Sequence, residues 1–379
     1  MIELKEAMHY VTDKIDVSSL KIKEYISTDN MVPNRGGIID CESLPKANRV
    51  TRYEPGDILI SNIRPYFKKI WFADRISGCS NDVIVFRTNN DNWNKKFLYY
   101  ALSQDKFFDF MMASANGTKM PRGNKEIIPD FLIADYDIKR QTRIADILST
   151  YDNLIKNNQQ QIKLLEEVAQ RLYKEWFVDL HYPGYEDVEI VDGVPKGWKQ
   201  LVLSEIANVV MGQSPKSEFY NNEKKGLPFH QGVTSYGNRF VNDTVYTTSF
   251  TRIAEPGSIL FSVRAPVGRL NITKNKIVIG RGLSAMNHKK GYQSYLFYLL
   301  KERFFKDNLV GNGSIFDSIT KSELLSQKFL VPNEEILIRF NDITKNIDAK
   351  IAVIDAEINC LVEARDRLLP KLMSGEIEV

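Results

Sequence analysis

The chain has 379 residues, enough for two to three average domains with separate cores. Hydrophobic residues make up 43% and charged residues 26%, as in ordinary globular proteins. No stretch approaches the roughly 18 uninterrupted apolar residues of a membrane helix, so disorder and membrane insertion are both disfavoured. The net charge of only +3 does not by itself announce a nucleic-acid partner. The opening Met1-Ile2-Glu3-Leu4-Lys5 has no apolar core of signal-peptide length, which makes the cytoplasm the expected compartment. Cys41, Cys79 and Cys360 lie far apart, as expected of reduced thiols rather than a disulfide framework or zinc site.

In chain order, the first 135 residues carry short β-branched and aromatic runs at Asp57 to Ile63, Lys69 to Phe72 and Asp82 to Phe86, followed by a helical patch from Trp93 to Phe110. Residues 136–180 switch to helical periodicity: Ile144, Ile147, Leu148, Tyr151, Leu154, Ile155, Ile162, Leu165, Val168, Ala169 and Leu172 recur at steps of three and four. Pro and Gly mark 181–195 as a linker. Residues 196–332 return to strand signals at Ile206 to Val210, Ser258 to Val263 and Lys276 to Ile279, with a helical patch from Tyr292 to Phe305. In 333–379, Phe340, Ile347, Ile354, Leu361 and Leu368 keep a seven-residue step, interleaved with Ile343, Ile351, Ile358 and Leu372. The fold class is α+β, with strand-rich units alternating with long helices.

The chain repeats itself. At an offset of 196, Arg143, Asp146, Ile147, Asp152, Ile155, Ile162, Leu165, Glu167, Arg171 and Leu172 recur as Arg339, Asp342, Ile343, Asp348, Ile351, Ile358, Leu361, Glu363, Arg367 and Leu368. Thr51-Arg52-Tyr53-Glu54-Pro55-Gly56-Asp57-Ile58-Leu59 answers Thr251 to Leu260 with one inserted residue, and Asn116-Gly117-Thr118 answers Asn312-Gly313-Ser314. Each long segment lacks Pro and Gly for about 40 residues, or ~60 Å of helix at 1.5 Å per residue. The helices either pack separately on their own domains or pair as an antiparallel coiled coil. Matched narrow stripes favour the pair, with a seam of Ile147, Tyr151, Ile155, Ile162, Leu165 and Leu172 against Ile347, Ile351, Ile354, Ile358, Leu361 and Leu368. Asn158 falls on that seam, where it either fixes register or marks a frayed point.

Divided along the repeat, the charge becomes +1 for residues 1–135, −4 for 136–194, +10 for 195–330 and −4 for 331–379. The helices are acidic and the second globular unit is strongly basic, while the first is balanced overall but has a basic stretch at residues 44–75; this suits phosphates at the globular units and protein partners at the helices. Gly-rich and polar loops supply side chains able to read base edges: Asn34-Arg35-Gly36-Gly37, Lys119-Met120-Pro121-Arg122, Gly212-Gln213-Ser214-Pro215-Lys216, His230-Gln231-Gly232 and Ser235-Tyr236-Gly237-Asn238-Arg239. Turn chemistry alone explains any one of them equally well.

Catalytic motifs are missing. Asp130, Asp137 and Lys139 superficially match a nuclease arrangement of two carboxylates and a lysine, but the spacing is short for neighbouring strands and Asp137 and Lys139 begin the long helix. The sequence has no phosphate-binding glycine loop, dinucleotide fingerprint or Asn/Asp-Pro-Pro-Tyr/Phe motif. His9, His181, His230 and His288 show no ligand spacing, so no metal site is expected.

The run Leu164 to Asp179, containing Gln170-Arg171-Leu172-Tyr173-Lys174-Glu175-Trp176-Phe177, resembles the DNA specificity subunit of type I restriction–modification systems. So do Pro195-Lys196-Gly197-Trp198 and the ending Leu369-Pro370-Lys371-Leu372-Met373-Ser374-Gly375-Glu376-Ile377, and the resemblance covers the whole chain. Pro55 to Leu59 and Arg64-Pro65-Tyr66-Phe67-Lys68-Lys69 also look like a recurring target-recognition motif, whereas the first unit lacks the lead that opens the second. The resemblance implies a non-catalytic reader: two target-recognition domains, each taking half of a bipartite, asymmetric site in double-stranded DNA, held apart by two paired helices. It also implies docking of two methyltransferase subunits, restriction subunits joined through the complex, and S-adenosylmethionine, ATP and magnesium on those partners. The expected DNA contacts are Arg35, Arg49, Arg52, Arg64, Lys119 and Arg122 in the first domain, and Gln213, Ser214, Lys216, Gln231, Arg239, Arg264 and Arg281 in the second. A coiled-coil scaffold without a nucleic-acid role is the remaining reading.

Overall fold

The structure, a computed structural model, describes residues 1–304 and 318–379. Phe305 and the Asn312-Gly313-Ser314 counterpart of Asn116-Gly117-Thr118 lie outside them. Two compact units emerge: Met1–Gln159 with Ala356–Val379, and Gln160–Asp355.

In the first unit the strands Met8–Tyr10, Val83–Thr88, Ile58–Ser61 and Ile70–Phe72 lie side by side in that order, all antiparallel. Their apolar runs are continuous because both sheet faces are covered. Ile58, Ile60, Ile84 and Phe86 enter one core with the helices, while Leu59, Val83 and Val85 enter another with Ile26, Tyr53 and Cys79. Alternate side chains of a strand point to opposite faces, so each run splits cleanly between the two cores. A three-stranded sheet, Lys14–Asp16, Arg49–Tyr53 and Ser77–Cys79, contributes to the second core. The helical patch resolves into Lys95–Leu102 and Asp105–Ala113, the first capped by the Asn94 side chain accepting from Phe97 N at 3.1 Å.

The second unit repeats this plan. Its four-stranded antiparallel sheet runs Ala207–Met211, Leu283–His288, Ile259–Ser262 and Leu270–Ile272. Ile259, Phe261 and Met286 face the helical core, and Leu260, Leu283 and Ala285 face the other side with Ile277 and Ile279. A five-stranded sheet adds one parallel pair, Leu227–His230 beside Ile277–Ile279. Helix Gln293–Phe304 matches Lys95–Leu102: Phe97-Leu98-Tyr99-Tyr100-Ala101-Leu102 aligns with Tyr295-Leu296-Phe297-Tyr298-Leu299-Leu300. The segment marked as a linker carries a hairpin, Ile190–Val191 with Val194–Pro195, and buries Tyr182 against Trp198.

The periodic segments form helices Ile138–Phe177 and Glu334–Ser374, of 40 and 41 residues. Asp137 and Asn333, one repeat apart, accept from Arg140 N at 2.9 Å and Ile336 N at 3.1 Å, capping the two N-termini alike. The second helix continues through Pro370, where the Pro-free stretch ended. In the first unit Ile144, Ala145 and Leu148 share a core with Leu369, Leu372 and Met373. In the second unit Ala169, Tyr173, Trp176 and Phe177 share one with Ile336, Leu337 and Phe340. Each helical segment therefore packs on its own globular unit and on a segment of the other helix. The twelve seam residues are all partly or fully buried, and Asn158 is buried among them. Leu154, Val168 and Ile343, periodic in the sequence, are exposed. Among the described residues no helix is long and apolar enough to cross a membrane.

Candidate nucleic-acid interface

Three backbone segments meet at one end of the second unit's sheets. Strand Ala207–Met211 leads into Gly212-Gln213-Ser214, and the parallel strands lead into Gln231-Gly232 and Gly280-Arg281-Gly282. Gln213 N donates to Ile279 O at 2.9 Å, Gly280 N to His230 O at 2.8 Å, and Gly282 N to Gln231 O at 3.2 Å. The glycines are dictated by this closeness: a β carbon on Gly212 would lie 2.1 Å from Gly280 O, and one on Gly282 2.5 Å from Gln231 O. On this frame Ser214 Oγ donates to Gln231 Oε1 at 2.9 Å and accepts from Arg281 N at 3.2 Å. Gln231 Oε1 keeps a second lone pair and Nε2 two donors, the pattern that pairs with an adenine edge.

Gln213, Ser214, Gln231 and Arg281 are thus brought together, with Lys216 exposed on the same loop. Val263 N donates to Gly282 O at 2.9 Å, which carries the exposed Arg264 to the same end. Arg252, not among the expected contacts, belongs here too: its carbonyl accepts from Ile279 N at 2.9 Å and its side chain is exposed. Its only sequence signal is its place in the repeated Thr-Arg pair. Gly282→Ala should displace the Gln231 loop and weaken DNA binding by about 1–3 kcal/mol without changing its salt dependence, as read by titration of the full chain against duplex DNA.

Burial takes Arg239 out of the expected DNA contacts and makes His230 a core residue. Arg239 is only 2% exposed: its guanidinium lies 3.6 Å from the Phe297 ring centroid and pairs with Asp348 at 2.6 Å and Glu166 at 3.5 Å. His230, considered as a DNA contact, is 1% exposed, with Nδ1 2.7 Å from Ser235 Oγ and Nε2 2.8 Å from Asp243 Oδ1. Burial pushes the Asp243 carboxyl up, but hydrogen bonds from His230 and Asn275 outweigh it and hold the group below the usual range. Both residues support the loop rather than face a ligand.

In the first unit Ile63 pairs with Arg122, and Arg64 N donates to Pro121 O at 2.8 Å. The segments carrying Arg64 and Arg122 are therefore adjacent, with Arg122 also 3.1 Å from Asp82 and the exposed Lys119 on the same loop. Arg49 and Arg52 lie instead on the three-stranded sheet, paired with Asp16 at 3.2 Å and Glu54 at 2.7 Å. Arg35 is a further correction: its guanidinium is engaged by Ser103 O and Asp105 and is only 16% exposed. Of the nuclease candidates, Asp137 caps the long helix and Asp130 pairs with Lys5 at 3.0 Å, while Lys139 is exposed on the first turn of that helix. Among the described residues no group of three or more His, Cys, Asp or Glu side chains is placed to hold a metal ion.

One lock is shared by both units. Asp152, in the first long helix, accepts from Tyr100 Oη at 2.5 Å and Arg365 at 2.7 Å. Its repeat partner Asp348 accepts from Ser294 at 2.5 Å, Arg239 at 2.6 Å and Tyr298 Oη at 3.4 Å. Equivalent carboxylates fasten equivalent tyrosines to the helices.

The model of the type I restriction modification DNA specificity domain matches residues 23–167 and again 195–362. The proposed MjaX specificity subunit of a type I restriction enzyme from Methanocaldococcus jannaschii is 30% identical over 307 residues, covering 79% of this chain and 72% of that one. The HindI specificity subunit from Haemophilus influenzae is 23% identical over 453 residues, covering 97% of each. Among solved structures, the S subunit of the type I restriction–modification system of M. genitalium agrees in fold, with a TM-score of 0.54 at 19% identity over 98% of this chain and 95% of that one. The chain is thus a DNA-recognition protein built from a doubled domain. It belongs to the family of type I restriction–modification DNA specificity subunits.

Proposed function

We propose that residues 1–135 and 196–332 each read one half of a bipartite, asymmetric site in double-stranded DNA. The observation that carries this is a bridge made in both units with its arginine exchanged: Ile63 faces Arg122 in one, Arg264 faces Ser318 in the other. Equivalent frameworks that present different side chains favour different half-sites.

Residues 136–180 and 333–379 act as an antiparallel coiled-coil spacer that sets the separation of the half-sites. Removing one heptad from each helix shortens it by ~10 Å, about three base pairs. Their acidic, partly apolar outer faces, with Val168 and Val353 exposed, suit docking of two methyltransferase subunits, and restriction subunits join through that complex in the cytoplasm. S-adenosylmethionine, ATP and magnesium act on those partners.

Replacing residues 196–332 with the corresponding domain of a relative should change one methylated half-site and leave the other intact, as read by sequencing methylated adenines in a host that carries the subunit with its partners. Change in both halves, or in neither, contradicts the reading. DNA binding that is absent or independent of salt in the assembled complex favours a scaffold instead.

A further inference from the structure

In the first unit the chain makes one tight turn after strand Ile58–Ser61. Pro65–Phe67 is a single turn of 3-10 helix, flanked by Arg64 at φ 50° and Lys68 at φ 51°. Both flanking residues sit in the left-handed region that a β carbon disfavours, so surrounding contacts must impose the conformation. They come from three segments. Arg64 N donates to Pro121 O at 2.8 Å, Asn34 N to Phe67 O at 2.8 Å and Arg35 N to Lys68 O at 2.9 Å, while Lys68 Nζ pairs with Asp105 at 2.8 Å.

What this rigid turn presents is apolar. Tyr66 is 47% exposed and Phe67 37%, with ring centroids 4.7 Å apart, and Met120 on the adjoining loop is exposed as well. Cations of the candidate interface flank these segments in the chain: Arg64 precedes the turn, Lys119 precedes Met120, and Arg122 bridges to Ile63. Arg64 is half-buried, with its Nε enclosed and without a hydrogen-bond partner among the described residues, and the carboxylates Asp105 and Asp82 are already paired with Lys68 and Arg122. The corresponding turn of the second unit reads Pro266-Val267-Gly268 and has no aromatic ring.

Two rings on a preorganised turn, flanked by cations in the chain, fit a polyanion whose interior is a stack of flat faces. We propose that Tyr66 and Phe67 form a wedge that inserts against the base stack of the DNA half-site taken by the first unit, partly unstacking one step, while Arg64 holds the adjoining phosphate. Side-chain wedges of this kind kink a duplex and add affinity that does not depend on counterion release. The inference rests on the reading of the first unit as a DNA-recognition domain, and it makes the two half-sites mechanically unequal.

The test uses the full chain assembled with its modification partners and a duplex carrying the motif found by sequencing methylated adenines, with 2-aminopurine placed at successive steps of each half-site. The wild-type complex should brighten 2-aminopurine at one step in the first half-site. Tyr66→Ala with Phe67→Ala should abolish that signal and weaken binding about ten- to a hundredfold, at an unchanged slope of affinity against salt. Arg64→Ala should lower the slope by about one charge. Phe67→Trp supplies a reporter that leaves the turn intact, and its emission should be quenched when the duplex binds. No brightening with the wild type, no quenching with Phe67→Trp, or a loss of affinity that follows the salt slope overturns the wedge. If the wild-type complex binds no duplex specifically, the DNA-recognition reading itself fails.

Discussion

Arg239→Ala is expected to lower the stability of the second unit by about 3 kcal/mol and to leave the salt slope of DNA binding unchanged. The guanidinium is enclosed between the Phe297 ring and the carboxylates of Asp348 and Glu166, so truncation removes a buried cation from beside two partly buried acids. Asp348 would retain only Ser294 and Tyr298 as donors. Urea denaturation followed through the buried Trp176 and Trp198 reports this unit. The pair Arg239→Met with Asp348→Leu should recover much of the loss, since an apolar replacement removes the desolvated charges together. Lys216→Ala, by contrast, should leave stability unchanged and reduce the salt slope by about one. A drop in slope with Arg239→Ala would restore this residue to the DNA surface.

The second large effect is expected from Phe340→Ala, about 3–5 kcal/mol. This ring is fully buried, with centroids of Phe177 at 4.8 Å, Trp176 at 5.8 Å and Tyr173 at 5.9 Å, and Tyr295 beyond at 6.3 Å. It joins the end of one long helix, the start of the other and the helix Gln293–Phe304, so its removal leaves a cavity where the three meet. Its repeat partner Ile144 is equally buried in the first unit, and Ile144→Ala should cost about 2–5 kcal/mol there. Calorimetry of the full chain should show the two variants lowering different transitions. A single shared shift for both would mean that the units do not melt separately.

Much of this architecture is legible in the sequence because it depends on periodicity. Heptad spacing locates the long helices, and the offset of 196 pairs Asp152 with Asp348 before any contact is known. Among the strands that escaped notice, Met8–Tyr10, Ser77–Cys79 and Leu283–His288 are short or contain His, Gly and Asn, so their pairing depends on neighbours remote in the chain. The candidate site was legible as residue types and less so as places. Gln213, Ser214, Gln231 and Arg281 converge because three glycine-bearing segments meet, which loop composition hints at. Arg239 and Arg35 have the same composition signal, yet a carboxylate far away in sequence claims each. An arginine in a polar loop looks the same whether a phosphate or an aspartate awaits it.

The division of the chain between the two units also bears on synthesis. The second unit is one contiguous stretch, Gln160–Asp355, whereas the first needs Ala356–Val379 for its core, where Leu369, Leu372 and Met373 pack on Ile144 and Leu148. Domains ordinarily fold from the N-terminus as they leave the ribosome. Here that order cannot hold for the first unit: its core lacks Leu369, Leu372 and Met373 until the whole of Gln160–Asp355 has been made.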